Sequence, residues 1–223
     1  MAKHYGQYCP VAHALELIGE RWSLLVVREL LGGPKRYTDL AGALPGIGTN
    51  ILANRLRDLE AAGVIEKRRL PPPAAASVYE LTAYGQELRE PLYALGRWGA
   101  RSLGPPTASD SLAPGWLVNA VRATCTTCST DKVYELRVDD ESVTARFEDD
   151  ELVVDVGRSE AADVVIETDP ATLFCIAAGE IPIRDAVAEK RVTVTGSRKD
   201  AEHFLSLFSF DDRGSRSRLV EHV

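Results

Sequence analysis

The chain has 223 residues, of which 45% are hydrophobic and 26% charged, with a net charge of −7. This is the composition of a globular protein with room for two domains, and it excludes a disordered or fibrous chain. Arg28 and Glu180 cut the apolar runs far short of the ~20 residues that span a bilayer, and Glu16, Glu20 and Arg21 interrupt the place of a signal-peptide core. A cytoplasmic location with no membrane partner is expected. Four cysteines, Cys9, Cys125, Cys128 and Cys175, are too few for a disulfide scaffold and default to thiols in a reducing compartment.

In the first half, apolar residues at three- and four-residue steps predict helices over 10–18 and 20–31, broken near Gly19. A short helix from Tyr37 to Leu44 ends at Pro45-Gly46, and a longer one covers 49–62 and is closed by Gly63. Extended segments 64–70 and 78–82 flank a Pro- and Ala-rich loop and read as a hairpin. A single helix is predicted over 83–103. Four helices, a two-stranded wing and a closing helix make the order of a winged helix-turn-helix, whose fourth helix enters the major groove.

At about 100° per residue, Leu52, Leu56 and Leu59 share the buried stripe of that fourth helix, and Asn50, Asn54 and Arg57 fall on the opposite face. Together with Thr49 they are the candidate base-reading residues. Asn pairs with adenine and Arg with guanine through two hydrogen bonds each. Lys35, Arg36, Arg55, Lys67, Arg68 and Arg69 surround the helix and are the candidate phosphate contacts. The plainer alternative is a solvated polar face. Charge supports the DNA reading: residues 1–103 carry 13 Lys and Arg against 10 Asp and Glu, for +3, and residues 104–223 carry 13 against 23, for −10. A polyanion is expected to meet the first half.

After the Pro-containing seam at 104–113 comes a helix starting at Trp116. Val-rich strands follow over 132–139, 143–148, 152–156 and 164–168, read as an antiparallel meander. Helices over 170–178, 182–189 and 199–208 and a strand over 192–195 complete the layer. The fold class is α+β. The expected domains are 1–103 for DNA binding and dimerisation, a linker over 104–113, a ligand-holding layer over 114–210, and a polar tail over 211–223.

Cys9-Pro10-Val11, Leu17-Ile18-Gly19-Glu20-Arg21-Trp22, Arg28-Glu29-Leu30, Asn54-Arg55-Leu56-Arg57-Asp58-Leu59-Glu60, Tyr79-Glu80-Leu81-Thr82 and Leu95-Gly96-Arg97-Trp98-Gly99 resemble the HxlR-type, MarR-like bacterial transcription regulators. The resemblance implies a homodimer on a double-stranded DNA operator, paired in part through the last helix of the domain at Leu88, Leu92, Leu95 and Trp98. Two departures stand out: Gly48 replaces a Ser-like helix cap, and the wing tip lacks a basic residue. Residues 162–210, with Ala162-Asp163-Val164-Val165-Ile166, Gly179-Glu180-Ile181 and Phe204-Leu205-Ser206-Leu207-Phe208, resemble sterol-carrier-protein-like domains, with Lys190 where Gly is expected. That resemblance implies an apolar pocket for a hydrophobic small-molecule effector. The candidate lining is Trp116, Phe147, Leu173, Phe174, Ile176, Phe204, Leu207 and Phe208, although such residues also fill cores.

Cys125 and Cys128 lack the further ligands of a zinc site, so no metal and no cofactor are expected. Cys9 stands just before the first helix, where the helix dipole favours a thiolate, and is a candidate redox residue or a small packed one. No GxSxG, Walker or Rossmann motif occurs, and the chain is not expected to be an enzyme. The expected function is an effector-modulated regulator. The alternatives are a thiol-based oxidant or electrophile sensor acting through Cys9, and a lipid or metabolite carrier whose first domain only dimerises.

Overall fold

The computed structural model describes residues 4–71, 76–107, 109–110, 112, 115–125, 128, 130–149 and 151–210. The loop residues 72–75 at the wing tip, parts of the 104–113 seam and the 211–223 tail lie outside this description. Two units are present, one ending at Leu92 and the other beginning at Tyr93.

In the first unit, α1 (Pro10–Ile18) begins on a proline that needs no partner for its missing N–H. Trp22 precedes α2 (Ser23–Leu30) with a left-handed φ of 82°, an uncommon conformation for a bulky residue. The pair α3 (Tyr37–Ala43) and α4 (Thr49–Ala61) follows. Asp39 caps α3 by accepting from the Arg36 amide at 2.9 Å. No side chain caps α4, which starts at Gly48. Leu52, Leu56 and Leu59 are buried on one side of α4 and share the core of this unit with residues such as Val26, Val27, Leu30 and Leu40. The wing is β1 (Ile65–Arg69) antiparallel to β2 (Ser77–Leu81).

The helix expected over 83–103 is two helices, α5 (Ala83–Gln86) and α6 (Arg89–Leu103). Pro91 explains the break: in a continuous helix its ring would meet the carbonyl of residue 87, but in the first turn of α6 it is tolerated. Gly85 adds a second constraint, because a Cβ there would lie 2.0 Å from the Val64 carbonyl oxygen. The Thr82 hydroxyl fastens the corner, accepting from the Gly85 amide at 3.0 Å and donating to the Gly63 carbonyl at 2.6 Å.

The division between units falls within α6, ahead of the seam chosen from sequence. Inside the second unit, Arg97 donates to the Ala123 carbonyl at 2.8 Å, and Arg101 donates twice to that of Phe210 at 3.2 and 3.1 Å. This unit contains α7 (Trp116–Thr124), β3 (Tyr134–Val138), β4 (Glu141–Glu148), β5 (Glu151–Val156), β6 (Val164–Thr168), α8 (Pro170–Ala177), α9 (Ile183–Ala188), β7 (Thr193–Gly196) and α10 (Arg198–Ser206). The sheet order is β5-β4-β3-β6-β7.

The meander reading holds for β3, β4 and β5 only. β6 pairs with β3 in parallel, Leu136 opposite Ile166. The segment between β5 and β6 reaches β3, where the Ser159 amide donates to Glu135 at 3.2 Å and the Asp163 amide to the Val133 carbonyl at 2.9 Å. Entering beside β3 from that end, β6 runs in the same direction as its neighbour. Tyr134, Leu136, Val143, Ala145, Val164 and Ile166 are buried in the core with residues of α7, α8 and α10. Arg137 bridges Glu135 and Glu167 at 2.6 and 2.7 Å. Lys190 takes the expected glycine's left-handed conformation, at φ 60°.

Candidate nucleic-acid interface

Thr49, Asn50, Asn54 and Arg57 are all exposed, which is the condition for reaching base edges from a helix whose other side is fixed in a core. The Tyr37 hydroxyl donates to the Thr49 carbonyl at 2.8 Å and ties the start of α4 to α3. No local pattern signals this contact, since a Tyr opening a short helix has many uses. Arg57 donates to the Asn54 side-chain oxygen at 3.1 Å. Their spacing of three residues on a helix was a usable signal for that contact.

The six candidate phosphate cations separate by their partners. Lys35 faces the buried Glu29 at 3.8 Å. Arg55 is held by Asp58 at 2.9 Å and Glu20 at 3.7 Å. Arg68 makes two hydrogen bonds to Glu80, at 2.5 and 2.7 Å. The hydrogen bond to Arg68 holds the Glu80 carboxyl below the usual carboxylate range. The hairpin register explains this pair: Glu66 faces Glu80 and Arg68 faces Val78, so Arg68 and Glu80 are diagonal neighbours on one face. Lys67 lies over the Tyr79 ring at 5.6 Å. Arg36 and Arg69 are exposed and form no ion pair among the described residues. A cleft of about 430 Å³ beside the first half of α4 is lined by Glu20, Arg21, Trp22, Gly46, Ile51 and Arg55.

The other predicted sites are on other elements. Leu95 and Trp98 are 48% and 69% exposed on α6. Leu92 is half-buried on the same helix, whereas Leu88 falls in the turn before it. Cys9 is a half-buried free thiol in the cap position of α1. Among the proposed pocket residues, Leu173, Ile176, Phe204, Leu207 and Phe208 are buried in the core of the second unit, and Trp116 and Phe147 pack against it half-buried. Phe204 stacks on Tyr134 with centroids 4.3 Å apart, and Phe174 meets Phe210 at 4.9 Å. Burial pushes the Cys125 thiol up to about 12, with Cys128 beside it adding to the effect.

Residues 17–106 match the HxlR-like helix-turn-helix family, and residues 126–209 match the SCP-2 sterol transfer family. The chain is 38% identical over 110 residues to the HTH-type transcriptional regulator sll1512 of Synechocystis, covering 49% of this chain and 82% of that one. It is 32% identical over 98 residues to the HTH-type transcriptional regulator YodB of Bacillus subtilis, covering 44% and 88%. The solved structure of reduced YodB aligns with a TM-score of 0.39 at 30% identity, over 45% of this chain and 100% of that one. The chain belongs to the HxlR-like helix-turn-helix family of transcriptional regulators and carries, behind its winged-helix unit, an SCP-2 sterol transfer family domain.

Proposed function

We propose that the protein acts by binding rather than catalysis, as a homodimeric regulator of a near-palindromic operator in the cytoplasm. Thr49, Asn50, Asn54 and Arg57 read bases, and Arg36 and Arg69 supply the main phosphate contacts. The observation that carries this reading is the polar outer face of α4, exposed opposite three buried leucines, together with Arg36 and Arg69, exposed cations that form no ion pair among the described residues. Exposed Leu95 and Trp98 on α6 support pairing with a second copy. One half-site per protomer then places the half-site centres about 34–36 Å apart on the duplex. The SCP-2 domain holds a hydrophobic effector whose occupancy changes operator affinity. For such a ligand to regulate, it must bind the DNA-competent and incompetent dimers unequally.

Operator binding by the full chain tests the reading. Asn54→Ala costs about 1–3 kcal/mol on the operator and little on random duplex. Equal losses on both remove Asn54 from base readout. Sedimentation at micromolar concentration gives a dimer, and a monomer protecting a single half-site contradicts the twofold arrangement. The half-buried thiol at the start of α1 favours one second reading, oxidant or electrophile sensing through Cys9. A Cys9→Ser chain that still loses operator binding under peroxide removes it.

A further inference from the structure

The contact between Arg57 and Asn54 bears on which base the helix selects. A guanidinium carries only donors, so the Asn54 amide turns its oxygen to Arg57 at 3.1 Å and keeps its two N–H groups for other partners. Pairing with adenine asks the opposite of that oxygen: it must accept from the adenine amino group while the amide nitrogen donates to N7. With a cation already drawing on the oxygen, the amide becomes a better donor and a poorer acceptor. The adenine amino group, itself a donor, also meets a positively charged neighbour. Guanine presents only acceptors, O6 and N7, at the same edge. Arg57 spends one N–H on Asn54 and keeps its others for the groove. Arg55, the nearest other cation on α4, is directed to Asp58 and Glu20 and does not compete for Asn54.

We propose that Asn54 and Arg57 form one donor unit that selects guanine, and disfavours adenine, at the base pair facing Asn54. The proposal rests on the reading of α4 as the base-contacting helix and names the base class that this reading leaves open.

The test is selection of binding sites from a random duplex library by the full-length chain, repeated with Asn54→Ala and Arg57→Ala. Both side chains are exposed, and circular dichroism checks that the variants keep their fold. Asn54→Ala relaxes one position, which is expected to be guanine for the wild type. Replacing that guanine by 7-deazaguanine, which lacks the N7 acceptor, weakens wild-type binding about tenfold and leaves Asn54→Ala within about twofold. Arg57→Ala frees the amide oxygen and moves the preference at the same position from guanine toward adenine. Adenine at that position in the wild type, or a guanine preference unmoved by Arg57→Ala, overturns the donor unit while leaving α4 as the reading helix. If Asn54→Ala relaxes no position of an otherwise selected site, both the donor unit and the base-reading role of Asn54 fall.

Discussion

In the winged-helix unit the side chains assigned to a partner lie outside the packing: Thr49, Asn50, Asn54 and Arg57 are exposed over buried Leu52, Leu56 and Leu59. In the SCP-2 unit most of the side chains assigned to a ligand lie inside it: Phe204 is fully buried against Tyr134, and Leu173, Ile176, Leu207 and Phe208 are buried in the same core. The contrast follows from the two kinds of partner. Polar groups that read a base must stay hydrated until the base arrives, because burying them without hydrogen bonds is costly. A surface of Asn and Arg over an apolar stripe therefore marks itself in the sequence. Apolar groups that line a cavity and apolar groups that fill a core obey the same rule, and their pattern is the same.

Replacing Phe204 gives the largest expected effect and the most direct way to break this contrast. If it fills the core, Phe204→Ala destabilises the chain by about 3–5 kcal/mol in urea unfolding, as truncation of a buried aromatic does. A cost below about 1 kcal/mol would mean that the ring borders open space, and would return Phe204 to the pocket.

Alkaline pH probes the same interior. Burial raises the thiols of Cys125 and Cys175 and the Tyr134 hydroxyl above their ordinary values. A group raised on folding contributes stability that is complete below its unfolded pKa and is lost as pH climbs toward the folded value. For Cys125 the window opens near 9 and closes at about 12. The loss attributable to it is about 1 kcal/mol by pH 10, read as a fall in denaturation midpoint that Cys125→Ala reduces.

A smaller change concerns Lys190. Its left-handed backbone costs a side-chain-bearing residue roughly 1 kcal/mol, so Lys190→Gly is expected to stabilise by about that much. A destabilised variant would mean that the Lys190 side chain matters more than its backbone.

The smallest effect returns to the winged-helix unit. Arg69→Ala lowers the salt dependence of operator binding by about one phosphate contact. Arg68→Ala lowers it less, because that guanidinium is engaged by Glu80. Equal slopes for the two variants would show that DNA displaces Glu80 and that the ion pair is no guide to the interface.

Much of this was legible before the structure. The helix order, the hairpin and the Leu stripe of α4 all depend on neighbours within a few residues, as does the exposure of the four base-reading candidates. Pro91 was legible too, and the break between α5 and α6 was missed because the apolar period continues across it. The parallel placement of β6 was not legible in its own residues, since Val164 to Thr168 suit either direction and the path of the preceding segment decides. The split of the cations was equally hidden: Lys67-Arg68-Arg69 is a uniform run in sequence, but the register of β1 against β2 brings Glu80 to Arg68 alone.

The sequence by itself determined the order of most helices and strands and which face of α4 is polar, because hydrophobic periodicity is a local property of the chain. Only the tertiary structure decided which wing and helix charges are already paired and that the aromatics of the second unit pack on one another. Those outcomes depend on groups brought together from distant positions, and no local pattern fixes the distances between them.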